Sequence, residues 1–235
     1  LRAGAFSNCS NLTGDLVIPQ TITSIPAGAF WSCGFDGNLQ LHNGIITIDG
    51  EEVFENEKIK QALEYIKEED PVTTQDTLNM CQIPAPSYKE EKKAEYIRKR
   101  FREIGLRDVR IDAVGNVLGI WPGTGEGPSV MLAAHTDTVF PEGTDLTIRK
   151  EGNRYYCPGI NDDTHAVAEM IAVAKAMIHA DLHTKGDLIF CANVCEEGLG
   201  DLRGVKYLFG YDNKVSEECP QIDAFVSIDN QYTGG

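Results

Sequence analysis

The stretch Val130-Met-Leu-Ala-Ala-His135-Thr-Asp137-Thr-Val139 decides the fold. Its apolar run has the length of a strand and delivers His135 and Asp137 at its carboxyl end, where extended geometry points both to the same side. A chain presents two ligands to one metal in this way. The arrangement recurs twice: Asp187 to Val194 is a second apolar run, followed by Cys195 and the paired acids Glu196 and Glu197, and Ile222 to Ile228 is a third, followed by Asp229. Between the first two lies Pro158-Gly-Ile-Asn-Asp162-Asp163, a turn with paired acids that opens a helical stretch. In α/β sheets, ligands gather at the carboxyl ends of strands, so one histidine and these acids are expected to converge on one edge. So many carboxylates together need a cation, and imidazole with oxygen ligands points to a transition metal.

Outward from these strands, the periodicity predicts an amphipathic helix over 57–69 that Pro71 stops, with Ile59, Leu63 and Ile66 on one face, and a further helical segment over 76–80. Ser87 with Glu90 reads as a capping box before a helix carrying Ala94, Ile97, Phe101 and Ile104 and ending at Gly105. Strands are expected at 106–111 and 116–121, a hairpin about Gly152-Asn153, and helices over 164–178 and 202–209. The glycines at 123, 125 and 127 lack a Gly-Lys-Ser/Thr ending and open no helix, so they read as a loop rather than a phosphate cradle. Helices alternating with apolar strands that end in ligands predict an α/β fold with a mixed, largely parallel sheet and helices on both faces.

With 235 residues and 42% hydrophobic content, the chain can bury a substantial core. Asp and Glu number 36 against 21 Lys and Arg, and the resulting net charge of −15 opposes binding to nucleic acid or anionic membranes. No apolar window is long enough to span a membrane. Seven cysteines, an odd number without regular pairing, predict reduced thiols and a cytoplasmic setting for the main region. The opening Leu1-Arg2-Ala3-Gly4 does not read as a signal peptide and starts like the middle of something longer.

The first residues repeat. Ala3-Gly-Ala-Phe6-Ser-Asn-Cys9 recurs as Ala27-Gly-Ala-Phe30-Trp-Ser-Cys33, and Gly14-Asp-Leu16-Val-Ile18 is echoed by Gly37-Asn-Leu39-Gln-Leu41. A fixed period of this size marks a solenoid. The segment resembles the cysteine-containing leucine-rich repeats of bacterial surface proteins, which implies stacked interior thiols at Cys9 and Cys33. The expected division is therefore a partial repeat segment at 1–43 and a second region at 44–235.

His135-Thr-Asp137, Pro158-Gly-Ile-Asn-Asp162-Asp163, Glu196-Glu197-Gly198 and Asp229, in that order, resemble the co-catalytic zinc family of peptidase T, carnosinase, acetylornithine deacetylase and aminoacylase. Ile83-Pro-Ala-Pro-Ser-Tyr-Lys-Glu90 and Asp112-Ala-Val-Gly-Asn116 look like that family's lead-in. The resemblance implies two zinc ions, with cobalt or manganese as substitutes. His135 binds one, Asp162 bridges both, Glu197 binds the other and Asp229 completes the first ion's shell. Asp137 orients the His135 imidazole, and Glu196 is the general base that takes a proton from a water shared by the ions and passes it to the leaving amine. It further implies that the chain stops before the lid domain and the last metal-binding histidine, and so has little activity alone.

Other residues have plainer readings. Asp163 reads as an N-terminal helix acid, His165 as a solvated helical histidine, and Cys157 and Cys195 as packing residues. The expected reaction is hydrolysis of amide bonds in small peptides, of aminopeptidase or dipeptidase type. Deacylation of N-acyl amino acids is the alternative within enzymes, and an inactive fragment or a leucine-rich repeat binding module, displayed at the cell surface, the alternative outside them. An uncovered sheet edge or face would invite association, a homodimer being one outcome.

Overall fold

In the computed structural model, the residues described are 5–6, 9, 11–26, 29–30, 33, 39–40, 47–48, 51–52, 56–125, 127–211 and 219–229. In chain order the elements are β1 (Leu16–Val17), β2 (Ser24–Ile25), β3 (Leu39–Gln40), β4 (Thr47–Ile48), β5 (Glu51–Glu52), α1 (Glu57–Glu68), α2 (Asp70–Cys81), α3 (Glu91–Ile104), β6 (Arg107–Ile111), β7 (Val117–Trp121), β8 (Val130–His135), β9 (Arg149–Glu151), β10 (Arg154–Tyr156), α4 (His165–His179), β11 (Leu188–Asn193), α5 (Arg203–Leu208) and β12 (Ala224–Ser227). Two compact units, residues 1–63 and 64–235, divide within α1.

In the first unit, short strands pair in parallel with strands one repeat later. Leu16 stands opposite Leu39, and Ser24 opposite Thr47. The rings of Phe6 and Phe30 stack with centroids 5.4 Å apart, and the Cys33 thiol donates to the Phe6 carbonyl. Ala3, Gly4, Ser7, Asn8, Ala27, Gly28, Trp31, Ser32, Gly37, Asn38 and Leu41 of the expected repeat lie outside the described residues.

The second unit is a mixed α/β fold around a five-stranded sheet of order β12-β8-β11-β7-β6. The β12–β8 and β8–β11 pairs are parallel, and β11–β7 and β7–β6 are antiparallel. Alternation along the strands fills both faces. Val117, Ala134, Phe190 and Ala192 meet Met80 of α2, Ile97 and Phe101 of α3 and Val167, Met170 and Ile171 of α4. Leu118, Met131, Ala133, Ile189 and Cys191 point the other way and pack with Leu208 of α5. Burying strands on both faces is why β8 and β11 read as continuous apolar runs.

Pro71 does not end a helix. The helix α1 stops at Glu68, and Pro71 lies in the first turn of α2, where its missing N–H has no partner to lose. Leu63 is exposed rather than on a buried stripe. The capping box also fails: Glu90 stands at the N-cap of α3 without a side-chain cap bond, because its carboxylate and the Ser87 hydroxyl are engaged elsewhere.

Candidate metal centre

Parallel pairing puts three strand ends side by side. Asn193 is opposite His135, Ser227 is opposite Ala133, and the Ile228 N–H donates to the Ala133 carbonyl at 2.7 Å. His135, the Glu196-Glu197 pair and Asp229 therefore leave the sheet at one edge. The fourth contributor arrives between β10 and α4 on a turn that begins at Gly159, whose φ of +73° suits glycine, and that carries Asp162 and Asp163 in non-helical backbone.

The ligand atoms of His135, Asp162 and Glu197 lie within 4.8 Å of one another, and so do those of His135, Asp163 and Asp229. His135 is buried, and its Nε2 is 2.9 Å from Asp162 Oδ1, while the Asp162 side chain is half-exposed. Its Nδ1 faces the carbonyl oxygen of Asp137 at 3.1 Å and the Asp137 carboxylate at 3.5 Å. The imidazole is thus oriented first by the Asp137 backbone. The carboxylate instead accepts the backbone N–H groups of Glu196 at 2.9 Å and Glu197 at 3.1 Å and the Ser87 hydroxyl at 2.6 Å.

Asp163 is buried and caps nothing. Its Oδ2 accepts the His135 backbone N–H at 3.1 Å, and its Oδ1 has no hydrogen-bond partner among the described residues. The helix-acid reading of Asp163 gives way, since its side chain turns back to β8 rather than to the N-terminus of α4.

Acidic groups crowd together here. Burial pushes the Asp163 carboxyl up to about 8, against His135 and with Asp229 and Asp162 adding to the rise. Burial also raises Glu196, helped by Asp229, Asp137 and Asp162 and opposed by His135, and it raises Glu197, with Asp162 next in effect. Burial opposes the charge on His135, yet Asp137, Asp163 and Glu196 outweigh it and lift the imidazole to about 9. One imidazole with several carboxylates, one of them with an unpartnered buried oxygen, suits divalent cations, whose charge relieves repulsion of this kind.

The frame behind the acids is polar and buried. Asp112 Oδ1 accepts the N–H groups of Val114, Gly115 and Asn116. Asn116 donates to Asp112 at 2.7 Å and to the Gly204 carbonyl at 3.1 Å, and accepts the Val194 N–H at 3.0 Å. Glu90 accepts the N–H and thiol of Cys195. Burial, then Glu90, push that thiol up to about 11, which leaves Cys195 a protonated packing residue. Cys157 is likewise buried, its thiol turned to the Leu146 carbonyl at 3.4 Å. His165 is tied to Glu169 at 3.2 Å and to Thr77 at 3.3 Å rather than free in solvent.

Lys93 escaped sequence reasoning. It is 2% exposed, and its ammonium donates to Thr164 Oγ1 at 3.1 Å. Burial pulls its pKa down to about 8, against Cys81, Asp137, Cys157 and Asp163, which favour the charge. A signal existed: Lys93 lies one helical turn before Ile97 and two before Phe101, on the buried stripe of α3.

Beside Asp162 and Glu197 opens a cavity of about 710 Å³, lined by Val139, Phe140, Arg149, Tyr155, Tyr156 and Ile160 among others.

Comparison with known proteins bears on the fold and on the stretch that carries these residues. The chain is 34% identical over 119 residues to a LysW-lysine/LysW-ornithine hydrolase of Pyrococcus abyssi, covering 51% of this chain and 32% of the relative. It is 29% identical over 181 residues to the succinyl-diaminopimelate desuccinylase of Corynebacterium glutamicum, covering 77% of this chain and 46% of the relative. The chain thus spans about a third to a half of the length of these curated relatives. Its fold matches that of human carnosine dipeptidase 1 with a TM-score of 0.58 at 15% identity, over 74% of this chain and 41% of that one. Residues 131–233, which hold every candidate ligand, match the family described as Peptidase family M20/M25/M40.

Proposed function

We propose that residues 64–235 bind two divalent ions, zinc by choice, and act in hydrolysis of amide bonds in small peptides. The observation that carries this reading is the meeting of His135, Asp162, Glu197 and Asp229, from four separate segments, within ligand reach of one another or of His135. His135 and Asp229 would hold one ion, Glu197 the other, and Asp162 both. The ions supply Lewis acidity toward the scissile carbonyl and toward the attacking water. Glu196 is the proton carrier. Its carboxylate takes no hydrogen bond among the described residues, and its raised pKa suits accepting a proton from water as the C–O bond forms and returning it to the amine as the C–N bond breaks. Asp137 fixes the backbone from which Glu196 and Glu197 project. The neighbouring cavity, walled by Phe140, Tyr155 and Tyr156 with Arg149 at its side, has the size for a peptide's side chains.

Deacylation of N-acyl amino acids is the second reading, favoured by the name of the desuccinylase relative, which aligns with most of this chain. For residues 1–43 we propose a segment of stacked leucine-rich repeats distinct from the region 44–235. It is supported by the parallel pairing of Leu16 with Leu39 one repeat later, while the pairing of Ser24 with Thr47 at the same offset carries the pattern past residue 43.

Calorimetric titration of zinc into metal-free protein, with Glu197→Ala beside it, tests the ion reading. Two sites, one of them lost or weakened by the substitution, are expected, and absence of zinc binding overturns the reading. Mass-spectrometric product analysis with a dipeptide and an N-succinyl amino acid separates the two reactions. Free amino acids from the dipeptide support peptide cleavage, and succinate alone moves the assignment to deacylation.

A further inference from the structure

Asp162 has a half-exposed side chain that meets His135 at 2.9 Å, and the two residues after it, Asp163 and Thr164, are buried. Three hydrogen bonds tie this turn to distant elements besides the His135–Asp162 contact. The Cys81 thiol reaches the Pro158 carbonyl at 3.6 Å, the His135 N–H reaches Asp163 at 3.1 Å, and the Lys93 ammonium reaches Thr164 at 3.1 Å. Lys93 is the only buried lysine or arginine among the described residues. Burying an ammonium costs several kcal/mol, and replacing such a charge with an apolar side chain of similar length is often neutral or stabilising where the charge serves packing alone. A buried charge retained beside the candidate ligands calls for another role.

We infer that Lys93 is a positioning residue of the ion site: from α3 it anchors, through Thr164 Oγ1, the turn that presents Asp162, and it sets a fixed positive charge near the buried carboxylates of Asp137 and Asp163. This rests on the ion-binding reading of the preceding section. The charge lets Asp163 and Asp137 stay close to the ligands without a further cation. The hydrogen bond fixes Thr164, two residues after Asp162, to a rigid helix.

Lys93→Met keeps length and volume and removes the charge and the donor, and Thr164→Val removes only the acceptor. Zinc affinity by calorimetry and the visible absorption of the cobalt-substituted protein are the readouts, with circular dichroism and melting as controls. Lys93→Met is expected to keep the wild-type circular dichroism, to bind zinc at least tenfold more weakly and to show altered cobalt bands. Thr164→Val is expected to lose affinity in the same direction by less, and the double variant to be no worse than Lys93→Met, since both act on one contact. Unchanged or tighter zinc binding by Lys93→Met overturns the inference while leaving the ion site standing. If Lys93→Met does not fold, Thr164→Val decides, wild-type affinity and cobalt bands counting against. A wild-type protein that binds neither metal removes the ion-binding reading, and this inference with it.

Discussion

The carboxylate of Asp137, at the end of β8, accepts the backbone N–H of Glu196 at 2.9 Å. Its other oxygen takes the Glu197 N–H and the Ser87 hydroxyl, so one buried acid ties three segments together. Burial opposes its charge, yet His135, Ser87 and the two N–H groups outweigh burial and hold it below the usual carboxylate range. Two neighbouring strand ends are thereby locked in the register that sets the spacing between His135 and the acid pair.

Replacing Asp137 with Asn should therefore act on the fold and the site together. An amide offers one acceptor oxygen and turns an NH2 group toward N–H donors, so at least one buried donor loses its partner, at about 1–3 kcal/mol. A melting temperature lower by several degrees is expected, at about 2–4 °C per kcal/mol for a unit of this size, with zinc affinity down tenfold or more by calorimetry. Wild-type values for both quantities would mean that the acid pair is held by other contacts.

The frame at Asn116 gives a sharper test of stability alone. Asn116 is fully buried and makes three side-chain hydrogen bonds, to Asp112, Gly204 and Val194. Asn116→Ala leaves those partners without it, and a loss of about 3 kcal/mol or more in denaturant unfolding is expected. A loss under about 1 kcal/mol would show that water or relaxation replaces these bonds.

These two frames show where sequence reasoning succeeds. The central strands were legible because β8 and β11 are buried on both faces, and α3 because Ala94, Ile97 and Phe101 keep helical spacing. The convergence of His135, Glu197 and Asp229 on one edge was legible because each follows an apolar run and parallel strands leave their ends on one side. Bonds between distant segments were not. Ser87 and Glu90 have the spacing of a local cap, but their partners, Asp137 and Cys195, lie far along the chain and compete successfully for the same side chains. Asp163 failed for the same reason: proximity in sequence to α4 suggested a helix acid, while its oxygen is claimed by the His135 backbone. Lys93 stands among charged neighbours, which mask its place on the buried stripe of α3 with Ile97 and Phe101.

Gly159 opens the turn to Asp162 at φ +73°, and a Cβ there would meet Thr138 Cγ2 at 2.6 Å. Gly159→Ala should cost about 1–3 kcal/mol in strain and lower zinc affinity, because the displaced atoms carry Asp162. Gly152→Ala is the control. It also has positive φ, at +60°, but nothing stands within 4 Å of its Cβ, and it lies at the turn of the β9–β10 hairpin. Melting shifts in both variants with zinc affinity lost only in Gly159→Ala is the expected result, and equal effects on zinc would separate Asp162 from the ion.

Metal itself should stabilise the folded unit. Burial and the neighbouring acids raise the carboxyls of Asp163, Glu196 and Glu197, so the ion-free fold carries repulsion that zinc removes, and an ion bound only by the folded chain adds RT ln(1 + [L]/Kd), about 2.7 kcal/mol at a hundredfold excess over Kd. Melting should move upward by several degrees with zinc and return with a chelator. His135→Ala removes the residue common to both ligand groups, and its melting temperature should ignore zinc altogether. Glu196→Gln is the counterpart. It keeps the ligands and the Asp137 contact, which uses the backbone N–H, so the zinc-induced shift should persist while any hydrolysis falls by a factor of a hundred or more. A zinc shift that survives His135→Ala, or one abolished by Glu196→Gln, would reverse the roles assigned to these two side chains.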